Sequence, residues 1–380
     1  MKVLFVSASK YPSNSAESSR LHYLAQLFAE DNNVTILSRG SEISNPGKDI
    51  AHISVSNKKL INGNIVMRAL DYLQFLKEVK RYLSQDKPVD AIVVCALPTK
   101  VLKFLLSYTK KNNIILIHDA VEWYSPEEFK LGKYDKLYRK KELWMNKLLP
   151  GNCRIISISR FLQDYFTNQG NKTVYVPSMI DTSLYDATSK DFEGKIKLVY
   201  AGTPLKKDYL STALEGIALL PKDEIDRIEM RVIGVSTDQA KNNGISANVI
   251  NKLGKSLVFM GRIPREQVFT YLKKAHFSVL LRPAEQRYAK AGFPTKIPES
   301  LSVGTPVICN FSSDLGDFLK DGVTCIEAKN CSADAMRDAC ERILRLSDLE
   351  LKQLSTNARK LAVEKFDYRK FVPEIRSILT

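Results

Sequence analysis

The chain offers no ready-made metal site, no nucleophile elbow and no phosphate-binding P-loop. Its six cysteines, Cys95, Cys153, Cys309, Cys325, Cys331 and Cys340, form no Cys-x-x-Cys pair and no metal-ligand spacing. The expected state is therefore reduced packing residues in a cytoplasmic protein. Neither Gly-x-Gly-x-x-Gly nor Gly-x-Ser-x-Gly occurs, which sets aside a dinucleotide fingerprint and an esterase-type nucleophile. Gly40 to Lys48 ends in Gly-Lys, but the interval is two residues too long for a P-loop and Asp49 replaces the required Ser or Thr, so ATP hydrolysis is disfavoured. No segment approaches the length of a membrane span, and the apolar run in Lys2 to Ser9 is too short for a signal peptide. It reads as a first parallel strand. No internal repeat or low-complexity tract is present.

What is present is a regular alternation. Strand-like runs at 2–8, 34–38, 91–96, 114–118, 154–158 and 173–176 are separated by helical patterns near 17–30, 70–84 and 99–111. This predicts an α/β fold with a doubly wound parallel sheet. After Val176-Pro177-Ser178 and a polar stretch to Lys195 the series restarts at Leu198, then continues through Met230 to Val235, Val258 to Ile263, His276 to Leu281 and Thr305 to Cys309. At 380 residues with 44% hydrophobic content, two domains of similar size are expected. The division predicted is 1–180 and 181–364, with a terminal helix over 365–380.

Arg282 to Ile308, RPAEQRYAKAGFPTKIPESLSVGTPVI, holds the densest chemistry. It reads as a loop and a helix between two strands. Gly292, Phe293, Pro294 and Thr295 precede a helix expected to start at Pro298, so backbone N–H groups and the positive helix end converge where an anion can sit. Lys296 adds a full charge. Glu299, in the first helical turn, can accept hydrogen bonds from the two adjacent hydroxyls of a ribose. Each feature alone is also ordinary helix-start chemistry; the ordered combination suits a nucleoside diphosphate. Upstream, Lys197 to Leu220 reads as a strand, a tight loop from Gly202 to Lys207 carrying Lys206 and Lys207, and a helix. Those lysines serve equally as a solvated helix entry.

The segment from Gly292 to Val307 resembles the C-terminal domain of the retaining glycosyltransferases of the GT-B fold, in the large bacterial family that includes sucrose synthase and the phosphatidylinositol mannosyltransferases. That family's common pattern has two glutamates with seven residues between them, then a helix and a Gly-x-Pro-Val strand. Glu299 and Gly304-Thr305-Pro306-Val307 fit, while Ala291 stands at the first glutamate. Gly292-Phe293-Pro294-Thr295-Lys296 is similar to the capsular and surface polysaccharide branch. The resemblance implies two Rossmann-like domains facing a central cleft, with the C-terminal helix crossing back to the first. It also implies that Lys207 grips the donor diphosphate together with Gly202 and that Thr203 stands where an Arg is usual; Arg282, at the neighbouring strand end, is a candidate to supply the lost charge.

The first domain is then expected to bind the acceptor. His118 and Asp119 end a predicted strand, with Glu122 and Trp123 following, where ligands of open α/β sheets gather. The resemblance puts His118 near the transferred sugar and Trp123 against sugar rings; a buried structural His is the plainer alternative. Arg20, opening a helix, is placed to reach a phosphate.

The implied activity is transfer of a sugar from a nucleoside diphosphate-sugar, the co-substrate, to a glycan or lipid-linked acceptor in surface polysaccharide biosynthesis. No cofactor is expected, and the lack of Asp-x-Asp points away from a metal, leaving lysines and helix ends to neutralise the diphosphate. Retention without an evident nucleophile implies same-face attack. The net charge of +15 fits an anionic substrate, an anionic membrane surface or nucleic acid. Gly132 to Leu149 sets six cations among Tyr134, Tyr138 and Trp144, which suits a peripheral contact with the inner leaflet, or a helix with solvated lysines. Leu70 to Leu83 is a weaker second candidate. A nucleic-acid partner is not expected. The rivals are a UDP-sugar epimerase of the same fold and a non-catalytic basic protein.

Overall fold

A computed structural model describes all residues except 14, 41–45, 56–64, 86–87, 186–189, 205–206 and 243. Lys206 and part of the Gly40 to Lys48 stretch therefore lie outside the described residues. The chain divides into two compact units, one of Met1–Met179 with Tyr368–Thr380, the other of Ile180–Asp367.

Unit 1 is built on a sheet of seven parallel strands: β1 Lys2–Lys10, β2 Asn33–Arg39, β3 Ile50–Ser54, β4 Ala91–Cys95, β5 Ile115–Ala120, β6 Arg154–Ser157 and β7 Thr173–Tyr175. Their spatial order is β3-β2-β1-β4-β5-β6-β7. Unit 2 repeats the scheme with six: β8 Ile196–Ala201, β9 Ile228–Ile233, β10 Leu257–Gly261, β11 Phe277–Leu280, β12 Val307–Cys309 and β13 Cys325–Glu327, in the order β10-β9-β8-β11-β12-β13. In both sheets the strand order thus switches once, between β1 and β4 and between β8 and β11. The crevice outside the carboxyl ends of those strand pairs is where such sheets bind ligands.

The near-continuous apolar runs explain the parallel sheets. β4, AIVVC, is buried at every position, as a strand covered on both faces must be. In unit 1, Phe5, Leu24, Phe28, Ile117 and Ile156 form one core with Ile375 and Ile378. Those last two project from the helix Val372–Leu379, so the chain's tail completes the first core after passing through the second unit. Arg376 Nε to Asp31 Oδ2 at 2.6 Å and Arg154 Nη1 to the Ile378 carbonyl at 2.7 Å tie it down. In unit 2 the helices Leu210–Leu219 and Ala333–Leu344 touch so closely that a Cβ on Gly216 would lie 2.5 Å from Met336 Cβ.

β3, β13 and the helix Arg160–Asn168 were not legible in the sequence pattern. The helix after the Gly292 loop spans Lys296–Ser302, starting two residues before Pro298, so Lys296 itself opens it.

Candidate functional site

The carboxyl ends of β8 and β11 carry a buried ion cluster. Asp208, with a side chain only 3% exposed, receives Lys296 Nζ on Oδ2 at 2.5 Å and Arg282 Nε on Oδ1 at 2.7 Å. The Tyr200 hydroxyl donates to Oδ2 at 2.8 Å. Burial alone would raise the Asp208 carboxyl; Lys296 and Arg282 outweigh it and hold the group down at about 2, so it is ionised at any working pH. Arg282 is oriented twice, its main chain exchanging hydrogen bonds of 2.9 and 2.7 Å with the Asn310 side chain.

Gly202 makes this arrangement possible. It follows β8 directly with φ +145°, and a Cβ there would lie 2.5 Å from Lys296 Cε and 2.8 Å from Nζ. The lysine thus lies across the bare glycine to reach Asp208. Thr203 is exposed beside it. Lys207 is half-buried, its ammonium 5.9 Å from the centre of the Tyr288 ring, which brings it to the helix Arg287–Ala291 that leads into Gly292.

The loop supplies fewer donors than its length suggests. The Gly292 N–H is bonded to the Tyr288 carbonyl at 3.1 Å, and Pro294 has none. Phe293 is buried, its ring against Phe318 and Phe366, so it holds the loop's shape. Thr295, the residue before the helix, and Lys296 at its start present N–H groups that lack an intrahelical acceptor by position. One turn on, Glu299 Oε1 accepts from Arg265 Nη2 at 2.7 Å, with both side chains about a quarter exposed (23% and 25%). Burial raises the Glu299 carboxyl despite the nearby Arg265 and Lys296. At the far end of the helix Arg265–Lys274, Lys190 Nζ donates to the carbonyls of Lys273 and Ala275 at 2.8 and 2.7 Å.

Lys207, Arg282, Lys296, Glu299 and the Gly292 loop therefore gather at one crevice of unit 2. Asp208, Tyr200 and Arg265 belong to it too, and sequence reading passed over them. Asp208 and Arg265 look like ordinary residues near helix starts, and their partners lie 88, 74 and 34 positions away.

In unit 1, Arg20 does not point outward. It is buried, its Nε 3.0 Å from both Asp119 oxygens and its Nη2 2.8 Å from Oδ1, with further bonds to the carbonyls of Pro177 and Val176. Arg20 and Asp119 thus brace the strand ends as a pair. His118, on β5, is 7% exposed with no partner at Nδ1, and the Trp144 ring meets it edge-on at 5.8 Å. Burial, then the charge of Lys141, pushes it down to about 3 against the pull of a backbone hydrogen bond to Val94, so it is neutral, with a single N–H. Glu122 is exposed. Trp123 is buried, bonded through Nε1 to Glu142 Oε1 at 2.8 Å and packed 4.4 Å from Tyr165; that leaves little of its face for a sugar.

The basic segment is broken into a 3-10 turn Gly132–Tyr134, a helix Lys136–Leu143 and a π turn Trp144–Leu148. Tyr138 and Trp144 face inward, while Leu131, Tyr134 and Leu137 are exposed at 66%, 72% and 54%. No helix among the described residues is long and apolar enough to cross a membrane.

Residues 182–361 match the model of the glycosyl transferases group 1 family. An uncharacterized glycosyltransferase of Methanocaldococcus jannaschii is 21% identical over 283 residues, 72% of this chain and 69% of that protein. Two solved structures share the whole fold at low identity. One is the Anabaena protein HepE in complex with UDP and glucose, with a TM-score of 0.70, 15% identity and 100% and 99% of the two chains covered. The other is sucrose-phosphate synthase from Thermosynechococcus elongatus, with a TM-score of 0.77, 16% identity and 99% and 98% covered. The architecture is the GT-B fold, and the family match falls within unit 2.

Proposed function

Starting from a group 1 glycosyltransferase match that covers most of unit 2, we propose that this chain is a metal-independent, retaining transferase. It would move a sugar from a nucleoside diphosphate-sugar to a glycan or lipid-linked acceptor of a surface polysaccharide. The observation that carries the reading is the convergence of Arg282 and Lys296 on the β8/β11 crevice, with Glu299 one turn beyond. Two fixed cations suit a departing diphosphate, whose charge grows as the glycosidic bond breaks. Glu299, held by Arg265 at 2.7 Å, would accept hydrogen bonds from the ribose hydroxyls. The complex of HepE with UDP and glucose favours uracil as the base.

In unit 1, neutral His118 would orient the sugar. The acceptor hydroxyl would attack on the face the diphosphate leaves, with a phosphate oxygen taking its proton. Leu131, Tyr134 and Leu137 among their lysines suit a peripheral contact with the anionic inner face of the cell membrane.

A thermal-shift screen of UDP, GDP, CDP and ADP, without metal, tests the donor reading. We expect a rise in melting temperature with UDP that Glu299→Ala and Lys296→Ala reduce. No shift with any diphosphate would reject it.

A further inference from the structure

The donor crevice holds a carboxylate that a diphosphate site has no obvious reason to contain. Asp208 would repel the phosphates if it faced them. It does not: its side chain is 3% exposed, and both oxygens are used, one by Lys296 and Tyr200 and the other by Arg282. The two cations are the part of the cluster that reaches solvent, at 15% for Arg282 and 23% for Lys296. Arg282 spends only Nε on Asp208, which leaves the two terminal nitrogens of the fork; Lys296 spends one of its three protons.

We propose that Asp208 is a positioning residue for the donor, a buried counter-charge that holds Lys296 and Arg282 side by side with their remaining N–H groups presented to the diphosphate. This rests on the donor site described above and adds to it the residue that assembles it. Without a carboxylate between them the two cations repel and spread into water. A diphosphate would then have to collect two flexible side chains on binding, losing the advantage of a site already arranged. Tyr200 serves the same end, its buried hydroxyl fixing Oδ2.

Titration calorimetry on the full chain with UDP, UMP and inorganic pyrophosphate tests this in the wild type, Asp208→Asn and Tyr200→Phe. Asp208→Asn should weaken UDP and pyrophosphate by about tenfold, the loss of one charge-assisted contact, and UMP by under about threefold. Tyr200→Phe keeps the charge and should move UDP the same way by a smaller factor of about three, which preserves the test if the Asn variant folds poorly. Tighter or unchanged UDP binding in both variants would overturn the proposal, because net positive charge alone would then govern the site. Equal weakening of UMP and UDP would also overturn it, since that marks a merely structural residue. If the wild type binds neither UDP nor pyrophosphate, the donor site itself is wrong; if it binds both and the variants do too, only the role of Asp208 falls.

Discussion

Adding one methyl group at Gly202 should disarm the donor site through Lys296. Alanine there must keep a φ of +145°, which costs about 1–3 kcal/mol in a backbone region that L-residues avoid. Its Cβ would sit 2.5 Å from Lys296 Cε, and relief to a normal carbon contact needs a retreat of about 1 Å. The lysine starts 2.5 Å from Asp208, so that retreat takes it beyond hydrogen-bonding distance. A phosphate deprived of one charge-assisted hydrogen bond loses about 1.5–3 kcal/mol, roughly tenfold to hundredfold in affinity. The assay is a cycle of UDP titrations on the wild type, Gly202→Ala, Lys296→Ala and the double variant. The second change should add little once the first is made, because both act through the same ammonium. Stability should behave oppositely: the backbone strain persists whether or not Lys296 is present, so Gly202→Ala lowers the melting temperature in both backgrounds. Independent, multiplying losses of affinity would refute the link between Gly202 and Lys296.

Two further outcomes follow. His118 binds no proton in the fold until about pH 3 but does so near 6.5 when unfolded, so its share of stability is full above pH 6.5 and is lost as pH falls toward 3. The slope reaches about 1.4 kcal/mol per pH unit; urea titrations between pH 7 and 4.5 should show it flattened in His118→Gln, and an unchanged slope would mean the group is charged when folded. Leu137→Asp, at an exposed position, should leave UDP affinity intact yet reduce co-sedimentation with vesicles containing anionic lipid; equal sedimentation would remove the membrane contact.

The fold was legible because parallel strands covered on both faces must be apolar throughout, and runs such as AIVVC admit no solvated side. Two edge strands, β3 and β13, were not: Cys325–Glu327 spans three residues and has no period to read. At the site, Gly292 to Lys296 and Glu299 could be found because a helix start concentrates its chemistry locally. Asp208 could not, since a carboxylate at a helix entry has a sufficient local reason to be there, and only folding brings Lys296 across 88 positions to meet it. Trp123, expected to stack on sugar rings, and Tyr138 and Trp144, expected to anchor a basic face on a membrane, are all buried, because an aromatic residue near a surface segment has an equally good use in the core.

The return of Tyr368–Thr380 to unit 1 gives the two halves different histories. During synthesis unit 2 is contiguous and can close as soon as it is made, whereas unit 1 waits, with the seats for Ile375 and Ile378 exposed, until the last stretch is available. The half expected to meet the acceptor therefore matures after the other, and a chain interrupted before Tyr368 would carry a finished unit 2 with a unit 1 that cannot close its core.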